Sequence, residues 1–407
     1  MDTLLTGADI FTGSYVLSGY GLLIRSGIID SLIKEDESPP DVQEHTFPMG
    51  TLLAPGLVDV QVNGAGGVLF NDHPDTSSAE HIAKTMRHFG VTSVMPTLIT
   101  SSKDALHTAV EAIQAALEDP YSSIIGLHVE GPFISPEKRG CHPLDYIRLP
   151  KEDDIAFLEH TSRTFRHMGG RLMLTAAPEH MPTVFTHRLR DSGVILSAGH
   201  SLATYEDMQE ACANGFSGIT HLGNAMTPLS GREPGIFGAA LTSTETLWAG
   251  IIADGQHLHP SLMRLVLDSP QRGGGQPFLV SDAMPTVGST QNSFRLFDTQ
   301  VHKKEQGLYT DDGTLAGAHT HLAACLRNLL RITTTNREEG LRMASLYPSC
   351  FVGLDHKIGK LEPGRHANLV AFNGRMRVVG TWVRGIFSET EDVPPSIEST
   401  ALENEKI

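Results

Sequence analysis

Cysteine is scarce in this sequence of 407 residues, and its four cysteines, Cys141, Cys212, Cys325 and Cys350, are scattered along the chain. None lies close enough to another in sequence to indicate a thiol metal site or a disulfide framework. Such usage is typical of a reducing compartment. The N-terminal residues also lack the basic start and long apolar core of a signal peptide, so a cytoplasmic location is expected.

Basic residues are also few compared with acidic ones. The chain has 31 Lys and Arg residues against 47 Asp and Glu, a formal net charge of −16. Because this charge repels phosphodiester backbones and anionic lipid, neither nucleic acid nor a membrane is an expected partner. No apolar run reaches membrane-spanning length. An acidic protein can still bind a small anion where a few cationic groups cluster, so a small molecule is the expected partner.

From Leu52 onward, apolar runs of strand length alternate with amphipathic stretches of helical length, the pattern of repeated βαβ units. Eight runs are predicted to be strands: 56–62, 91–98, 124–129, 172–177, 194–198, 218–221, 248–252 and 278–281. Helix candidates include 79–89, 103–117, 152–168, 205–214, 261–267 and 320–332. The α/β pattern therefore predicts a TIM-like (β/α)8 barrel. The long segment 223–245 is predicted to be a substrate loop with a short helix.

The two ends of the chain have a different pattern. Residues 20–24 and 27–33 alternate like a β-hairpin, and after residue 353 the chain returns to turns and short strands. We therefore expect residues 1–51 and 353–388 to form one small β-sandwich domain beside a barrel of residues 52–352. The tail 389–407, rich in Glu, Ser and Pro, is expected to be flexible.

Three predicted strands end in side chains that bind metals. Glu130 follows the run 124–129, His200 follows the run 194–198, and His221 is the last residue of the next run, 218–221. Either histidine alone could be a core residue bonded to the backbone. Because parallel strands end at one mouth of a barrel, however, these three residues should converge, and together they would hold a divalent ion with one position open.

Several motifs, in order along residues 52–372, resemble the amidohydrolase superfamily and, within it, the deacetylases of amino sugar phosphates. The motifs are Pro55-Gly-Leu-Val-Asp59, His128-Val-Glu-Gly-Pro-Phe133, Gly199-His-Ser201, Thr220-His-Leu-Gly-Asn-Ala-Met226, Gly231-Arg-Glu-Pro-Gly235, Ser281-Asp-Ala-Met284 and Gly359-Lys-Leu-Glu-Pro-Gly-Arg-His-Ala-Asn-Leu-Val370. The resemblance implies a metal-dependent barrel with a β-sandwich built from both termini. It also implies hydrolysis of N-acetyl-D-glucosamine 6-phosphate to D-glucosamine 6-phosphate and acetate, commonly by a homodimer.

The resemblance implies one divalent metal ion per subunit. Zn²⁺ is the expected ion, with Fe²⁺, Mn²⁺ and Co²⁺ as alternatives. Most superfamily members end their first strand with His-x-His, but this chain has Gln61-Val-Asn63. Since carboxamides are poor ligands for such a metal, a second metal position should be weak or absent. Gln61 and Asn63 would instead line the substrate cavity, with strand-end capping as the alternative.

Two residues are candidates for catalysis. Asp282, after the eighth run, would take a proton from the attacking water and later give it to the departing amine. Its alternative role is that of a turn or N-cap aspartate. In the family, the histidine that matches His142 helps to polarise the acetamide carbonyl. The alternative here is an exposed loop histidine.

The substrate phosphate is expected to bind Arg232 and His257, with the Asn224 side chain and the Ala225 backbone amide as further donors. In the family, one cationic group can come from the other subunit. Arg232 could instead form a surface salt bridge. Asp254 could hold the loop or orient His257, and we leave it unassigned.

Two other functions remain open. The motifs predict the metal and phosphate sites better than the configuration of a sugar hydroxyl, so N-acetylgalactosamine 6-phosphate is an alternative substrate. A non-catalytic sugar-phosphate-binding barrel is the second alternative, and would be expected to lack a ligand or the acid/base residue. A metal-free sugar isomerase would leave Glu130, His200 and His221 without a shared task.

Overall fold

A barrel of eight parallel strands lies at the centre of the computed structural model, which describes residues 2–37, 39–270, 273–304 and 307–388. The barrel strands are Leu57–Val62, Val91–Ile99, Gly126–Glu130, Arg171–Ala176, Ile195–Ala198, Phe216–Ile219, Trp248–Ile251 and Pro277–Leu279. They are ordered in the sheet as in the chain. Each overlaps one predicted run, so the predicted TIM-like barrel is confirmed.

The first and eighth barrel strands meet through a short contact. A parallel bridge joins Val62 to Ala283, and the Asp282 N–H donates to the Gln61 carbonyl at 3.0 Å. Because all eight strands run in the same direction, their carboxyl ends gather at one mouth. Residues that end different strands are therefore brought together there.

Helices pack their apolar residues against the strands in one shared core. The α-helices are Thr76–Arg87, Lys103–Glu118, Glu152–His167, Thr183–Ser192, Tyr205–Asn214, Gly235–Thr242, Pro260–Asp268, Leu322–Ile332, Arg337–Ala344 and Leu346–Phe351. The prediction of a helix over 205–214 is confirmed, and Thr204 caps it by accepting the Asp207 N–H. The segment 223–245 contains the predicted short helix, Gly235–Thr242.

Two further sheets are built from the ends of the chain. The four-stranded sheet contains Thr3–Thr6, Tyr20–Arg25, Ile28–Lys34 and Gln43–Thr46, and it confirms the predicted hairpin. The six-stranded sheet combines both termini and contains Asp9–Phe11, Val16–Leu17, Leu52–Pro55, Leu369–Phe372, Val378–Val383 and Ile386–Ser388. The division into residues 1–51 with 353–388 and residues 52–352 stays a prediction. The predicted flexible tail, 389–407, lies outside the described residues.

The chain between the eighth barrel strand and the helix Leu322–Ile332 forms a four-stranded antiparallel sheet, here called the added sheet. It was not predicted from the sequence. Its strands are Ser293–Leu296, Thr299–Lys304, Gly307–Thr310 and Leu315–Ala318. Apolar residues on one face, among them Phe294, Leu296 and Val301, form a core with Ile99 and Met284 near the barrel mouth. This sheet therefore forms part of the wall beside the strand ends.

Candidate active site

Four ionisable side chains lie at the barrel mouth, each at or just after the end of a strand. Glu130 ends the third barrel strand, His200 and His221 follow the fifth and sixth strands, and Asp282 follows the eighth. The exposed fractions of these residues are 3% for Glu130, 6% for His200, 5% for His221 and 8% for Asp282. Buried ionisable groups are costly unless they have partners, so their mutual contacts decide what the site can do.

Three of these residues have a positive φ angle, a backbone conformation that residues other than glycine seldom adopt. The φ angles are +50° at His200, +35° at His221 and +52° at Asp282. Such angles cost about 1–3 kcal/mol each and are concentrated at functional sites. Here they occur where the chain leaves a strand and turns over the mouth, at three of the four ionisable residues.

The side chains of Glu130, His200 and His221 converge on a small volume. Glu130 Oε1 lies 3.2 Å from His200 Nε2 and 3.0 Å from His221 Nε2, and the two nitrogens are 3.1 Å apart. Burial alone would raise the pKa of Glu130, but the hydrogen bonds from the two histidines hold that pKa well below its usual range. Glu130 is therefore a carboxylate anion at neutral pH.

The contacts of His200 indicate which of its nitrogens faces the site as an acceptor. His200 Nδ1 lies 2.8 Å from the Lys138 carbonyl oxygen, which can only accept a hydrogen bond. In the neutral ring, Nδ1 therefore carries the proton and Nε2 is an acceptor, so Nε2 can donate to Glu130 only when the ring holds a second proton. Ligand atoms bound at about 2.0–2.1 Å in a tetrahedral site lie roughly 3.3 Å apart. The observed spacing and this donor set both suit a divalent cation.

His142 lies beside this cluster. Glu130, His142 and His200 form a wider group whose potential ligand atoms lie within 4.8 Å of one another. His142 Nδ1, however, contacts Thr100 Oγ1 at 2.8 Å. The separations of 3.0–3.2 Å among Glu130, His200 and His221 are shorter, and they favour that trio as the ligand set.

Asp282 faces the same space from the other side of the mouth. Asn63 Nδ2 donates to Asp282 Oδ1 at 2.7 Å, and Gln61 Nε2 donates to the same oxygen at 3.1 Å. Asp282 Oδ2 has no hydrogen-bond partner among the described residues. Burial and the nearby Glu130 raise the pKa of Asp282 to about 6. Oδ2 is thus free to exchange a proton near neutral pH.

A cavity of about 390 Å³ opens above these groups, within the roughly 300–1,000 Å³ typical of small-molecule sites. Nine predicted site residues line it: Asn63, Glu130, His142, His200, His221, Asn224, Ala225, His257 and Asp282. Gln61 lies behind the wall, where it also donates to Glu130 at 3.3 Å. Arg232 is exposed and lies outside the wall of this cavity.

His257 is held at the cavity wall by Asp254. Asp254 Oδ2 lies 2.6 Å from His257 Nδ1, while Oδ1 accepts the backbone N–H groups of Gln256 and His257 at 2.9 Å each. Burial lowers the pKa of His257, but the hydrogen bond and charge of Asp254 outweigh it and leave that pKa raised. His257 is therefore protonated more readily than a free imidazole, at one side of the cavity.

A model of the amidohydrolase family matches residues 52–387 of this chain, which is most of its length. The chain belongs to the amidohydrolase family. The resemblance predicted from the motifs is thereby confirmed. The match includes the whole barrel together with the C-terminal strands of the six-stranded sheet.

Three proteins similar to this amidohydrolase carry named activities. The N-acetylglucosamine-6-phosphate deacetylase of Haemophilus influenzae is 32% identical over 392 residues, which cover 96% of this chain and 100% of that protein. The N-acetylgalactosamine-6-phosphate deacetylase of a Shewanella species is 34% identical over 382 residues, 93% of this chain and 94% of that protein. The crystal structure of N-acetylglucosamine-6-phosphate deacetylase from Pasteurella multocida has a TM-score of 0.89 at 32% identity, covering 96% of this chain and 100% of that chain.

Other residues of this amidohydrolase's site were not predicted. Leu296, Leu315 and Ala316 reach the cavity from the added antiparallel sheet. The alternating apolar positions of residues 293–301 were the available signal, but such short strands are weakly marked. The contact of the Lys138 carbonyl with His200 could not be predicted from the sequence, because every residue has a backbone carbonyl.

A hydrogen-bonded chain of side chains lies among the strands that carry the ligand candidates. The buried ring of His128 lies 3.1 Å from Thr97 Oγ1 and 2.7 Å from Thr175 Oγ1, and Thr220 Oγ1 lies 2.7 Å from both Thr175 Oγ1 and Ser197 Oγ. It connects the strands that lead to Glu130, His200 and His221, and so restrains their relative positions. No helix in the described part of the chain is both long enough and apolar enough to cross a bilayer.

Proposed function

We propose that this amidohydrolase hydrolyses the acetamide of N-acetyl-D-glucosamine 6-phosphate to D-glucosamine 6-phosphate and acetate. The observation that carries the proposal is the close triangle of Glu130, His200 and His221 opposite the buried carboxylate of Asp282. The named activities of the Haemophilus and Pasteurella proteins support this substrate. Metal-ligand atoms and an acid/base group in one cavity are the requirements of amide hydrolysis.

In this proposal, Glu130, His200 and His221 hold one divalent ion per subunit. Two imidazoles and a carboxylate are a usual set for catalytic Zn²⁺, while Fe²⁺, Mn²⁺ and Co²⁺ remain alternatives. When bound, the ion supplies Lewis acidity, which polarises the acetamide carbonyl and makes water a stronger acid. Gln61 and Asn63 are proposed to orient Asp282, and as carboxamides they are poor ligands for a second ion at the first strand.

Asp282 is proposed as the general base and then the general acid. Oδ2 takes a proton from the water that attacks the carbonyl carbon, and returns it to the amine nitrogen as the carbon–nitrogen bond breaks. Gln61 and Asn63 hold Oδ1, so the carboxylate keeps one orientation through both transfers. The pKa of about 6 lets the same group accept and release a proton.

His142 is proposed to donate a hydrogen bond from Nε2 to the carbonyl oxygen as negative charge develops on it. Burial lowers the pKa of His142 well below its usual range, so the ring is neutral and carries one proton. For that proton to lie on Nε2, Thr100 Oγ1 must donate to Nδ1. Thr100 Oγ1 also lies 3.1 Å from the Glu130 carbonyl oxygen. Because the hydroxyl has one proton, the proposal requires that Thr100 donate to His142 and not to this carbonyl.

For the phosphate, we propose His257, Asn224 and the Ala225 backbone amide as ligands, because all three residues line the cavity. Arg232 is exposed and outside the wall, so we propose a homodimer in which Arg232 serves the cavity of the other subunit. A cytoplasmic location is part of the same proposal and is supported by four free cysteines.

The test of the function is acetate release by the metal-loaded protein from N-acetylglucosamine 6-phosphate. N-acetylgalactosamine 6-phosphate must be compared in the same assay, because the Shewanella relative is named for that substrate. We expect kcat/KM to be higher for the gluco substrate. Higher kcat/KM for the galacto substrate would replace the first proposal by the second, and no acetate from either would reject both.

Replacing Asp254 by asparagine should weaken substrate binding more than it slows chemistry. The neutral amide can keep the loop hydrogen bonds but no longer favours a protonated His257. We expect KM to rise by about tenfold, the loss of one charge-assisted hydrogen bond, with kcat changed less. Steady-state kinetics will measure this. A fall in kcat with KM unchanged would contradict the proposed role of His257.

A further inference from the structure

A second polar cavity lies at the end of the barrel opposite the catalytic mouth. Its volume is about 120 Å³, roughly four water volumes. Ser93, near the amino end of the second barrel strand, lines it together with Lys357, His366, Asn368 and Arg384 from the C-terminal segment. The space suits an ion of a few heavy atoms and is too small to enclose a sugar.

Two cations on this wall have no acidic partner. Neither Lys357 Nζ nor the Arg384 guanidinium forms a hydrogen bond or ion pair with any described residue. Two neighbouring cations differ: Lys360 and Arg365 both pair with Glu362, at 3.3 and 2.8 Å. Of these four cations, the two without an acidic partner in the described chain are the ones that face the cavity.

The uncharged groups on the wall also present donors. Asn368 Oδ1 accepts the Arg384 backbone N–H at 2.8 Å, which leaves the Asn368 amide nitrogen as the free donor. The Ser93 hydroxyl is buried and has no partner among the described residues. Asp119 lies on the wall too, but its Oδ1 accepts the Tyr121 N–H at 2.9 Å. The Asn368 amide and the two cations are thus donors without acceptors, in the part of the chain that the structure describes, on the wall of a cavity, and such donors can bind an acceptor from outside the chain.

The electrostatics agree with this geometry. Burial, and then the charges of Arg384 and Lys357, lower the pKa of His366 to about 4. The histidine is thus neutral chiefly because it is buried, and the neighbouring positive charges add to that effect. A bound anion would relieve the repulsion between the two cations.

The backbone at Arg384 gives an independent indication. Arg384 and Gly385 form the two-residue turn between Val378–Val383 and Ile386–Ser388, with φ angles of +51° and +73°. Such a turn favours asparagine, aspartate or glycine at its first position, because other side chains are strained at positive φ. An arginine therefore occupies this position against the local preference of the backbone.

We propose that a small oxyanion such as inorganic phosphate binds between Lys357, Arg384 and Asn368, and ties the floor of the barrel to the C-terminal strands. The guanidinium and ammonium groups supply charge-assisted hydrogen bonds, and the amide supplies a neutral one. The site is separate from the catalytic cavity and does not depend on the proposed reaction.

The test uses the metal-loaded His257→Asn variant, which weakens the proposed phosphate contact in the catalytic cavity. Its Tm should rise with added phosphate, in proportion to the logarithm of the phosphate concentration once that exceeds the dissociation constant, while chloride at the same ionic strength should have no such effect. Adding Arg384→Asn should weaken the apparent phosphate affinity by about tenfold or more. Since asparagine is favoured in this turn, the Tm without phosphate should not fall, which separates lost binding from misfolding.

Arg375→Asn, which removes an exposed positive charge from the same C-terminal segment, is the matched control and should keep the full phosphate response. Lys357→Gln should weaken the response as Arg384→Asn does. The proposal would be overturned if the Arg384→Asn and Arg375→Asn proteins responded equally to phosphate, or if chloride produced the same rise in Tm.

Discussion

Replacing Asp282 by asparagine should lower kcat by about 10²–10⁴-fold, the usual contribution of a general acid or base. The substitution preserves the size of the side chain, and its carbonyl oxygen can still accept the hydrogen bonds that Asn63 and Gln61 give to Asp282. The amide cannot take a proton from water or deliver one to the amine. Acetate release at saturating substrate measures the change.

The bound metal of the Asp282→Asn protein should remain at the level of the unmodified protein, because Asp282 is outside the proposed ligand trio. Asp311→Asn is a suitable control, since that carboxylate is exposed and contacts His302 on the added sheet. It should leave kcat within about twofold, as expected for a surface position. If Asp282→Asn kept more than a tenth of kcat with its metal intact, Asp282 could not be the acid/base group.

Removing the divalent ion should reduce the rate by about 10³-fold or more, because Lewis acidity is worth several kcal/mol of barrier. Without the ion, the lone pairs of Glu130, His200 and His221 face one another at 3.0–3.2 Å and repel unless a proton is taken up. The Tm should therefore fall as well. Chelation followed by addition of Zn²⁺, with acetate release and Tm measured at each step, tests both effects.

Elemental analysis of the active protein should find one ion per chain. Gln61 and Asn63 direct their amide nitrogens at Asp282, and their carboxamide oxygens are poor ligands for such an ion, so no second ion is expected there. Glu130→Gln should lower the metal content, whereas Glu137→Gln, in the loop beside the site, should not. Two ions per active chain, or full activity after complete removal of the metal, would contradict the single-metal proposal.

Local patterns of the sequence determined much of the fold. Apolar runs long enough for one strand each predicted all eight barrel strands, because a strand buried on both faces leaves a nearly continuous apolar run. They also placed Glu130, His200, His221 and Asp282 at strand ends. Once parallel strands are assumed, their carboxyl ends must meet, so this convergence could be predicted without coordinates.

The added antiparallel sheet could not be predicted in the same way. Its strands are four to six residues long and half exposed, and their alternation is supported by contacts with Ile99 and Met284 from elsewhere in the chain. The strand Leu52–Pro55 is a similar case, since it pairs with strands from both termini. Strand pairing between distant segments is a property of tertiary structure.

The sequence by itself determined the barrel and the types of residue at its mouth, because strand burial and strand direction are encoded locally. Only the tertiary structure decided how those residues are used. The Lys138 carbonyl selects the tautomer of His200. Gln61 and Asn63 hold one oxygen of Asp282, and the hydrogen bond to Asp254 favours the protonated form of His257. These contacts act over a few ångströms between separate loops, so their geometry exists only after the chain has folded.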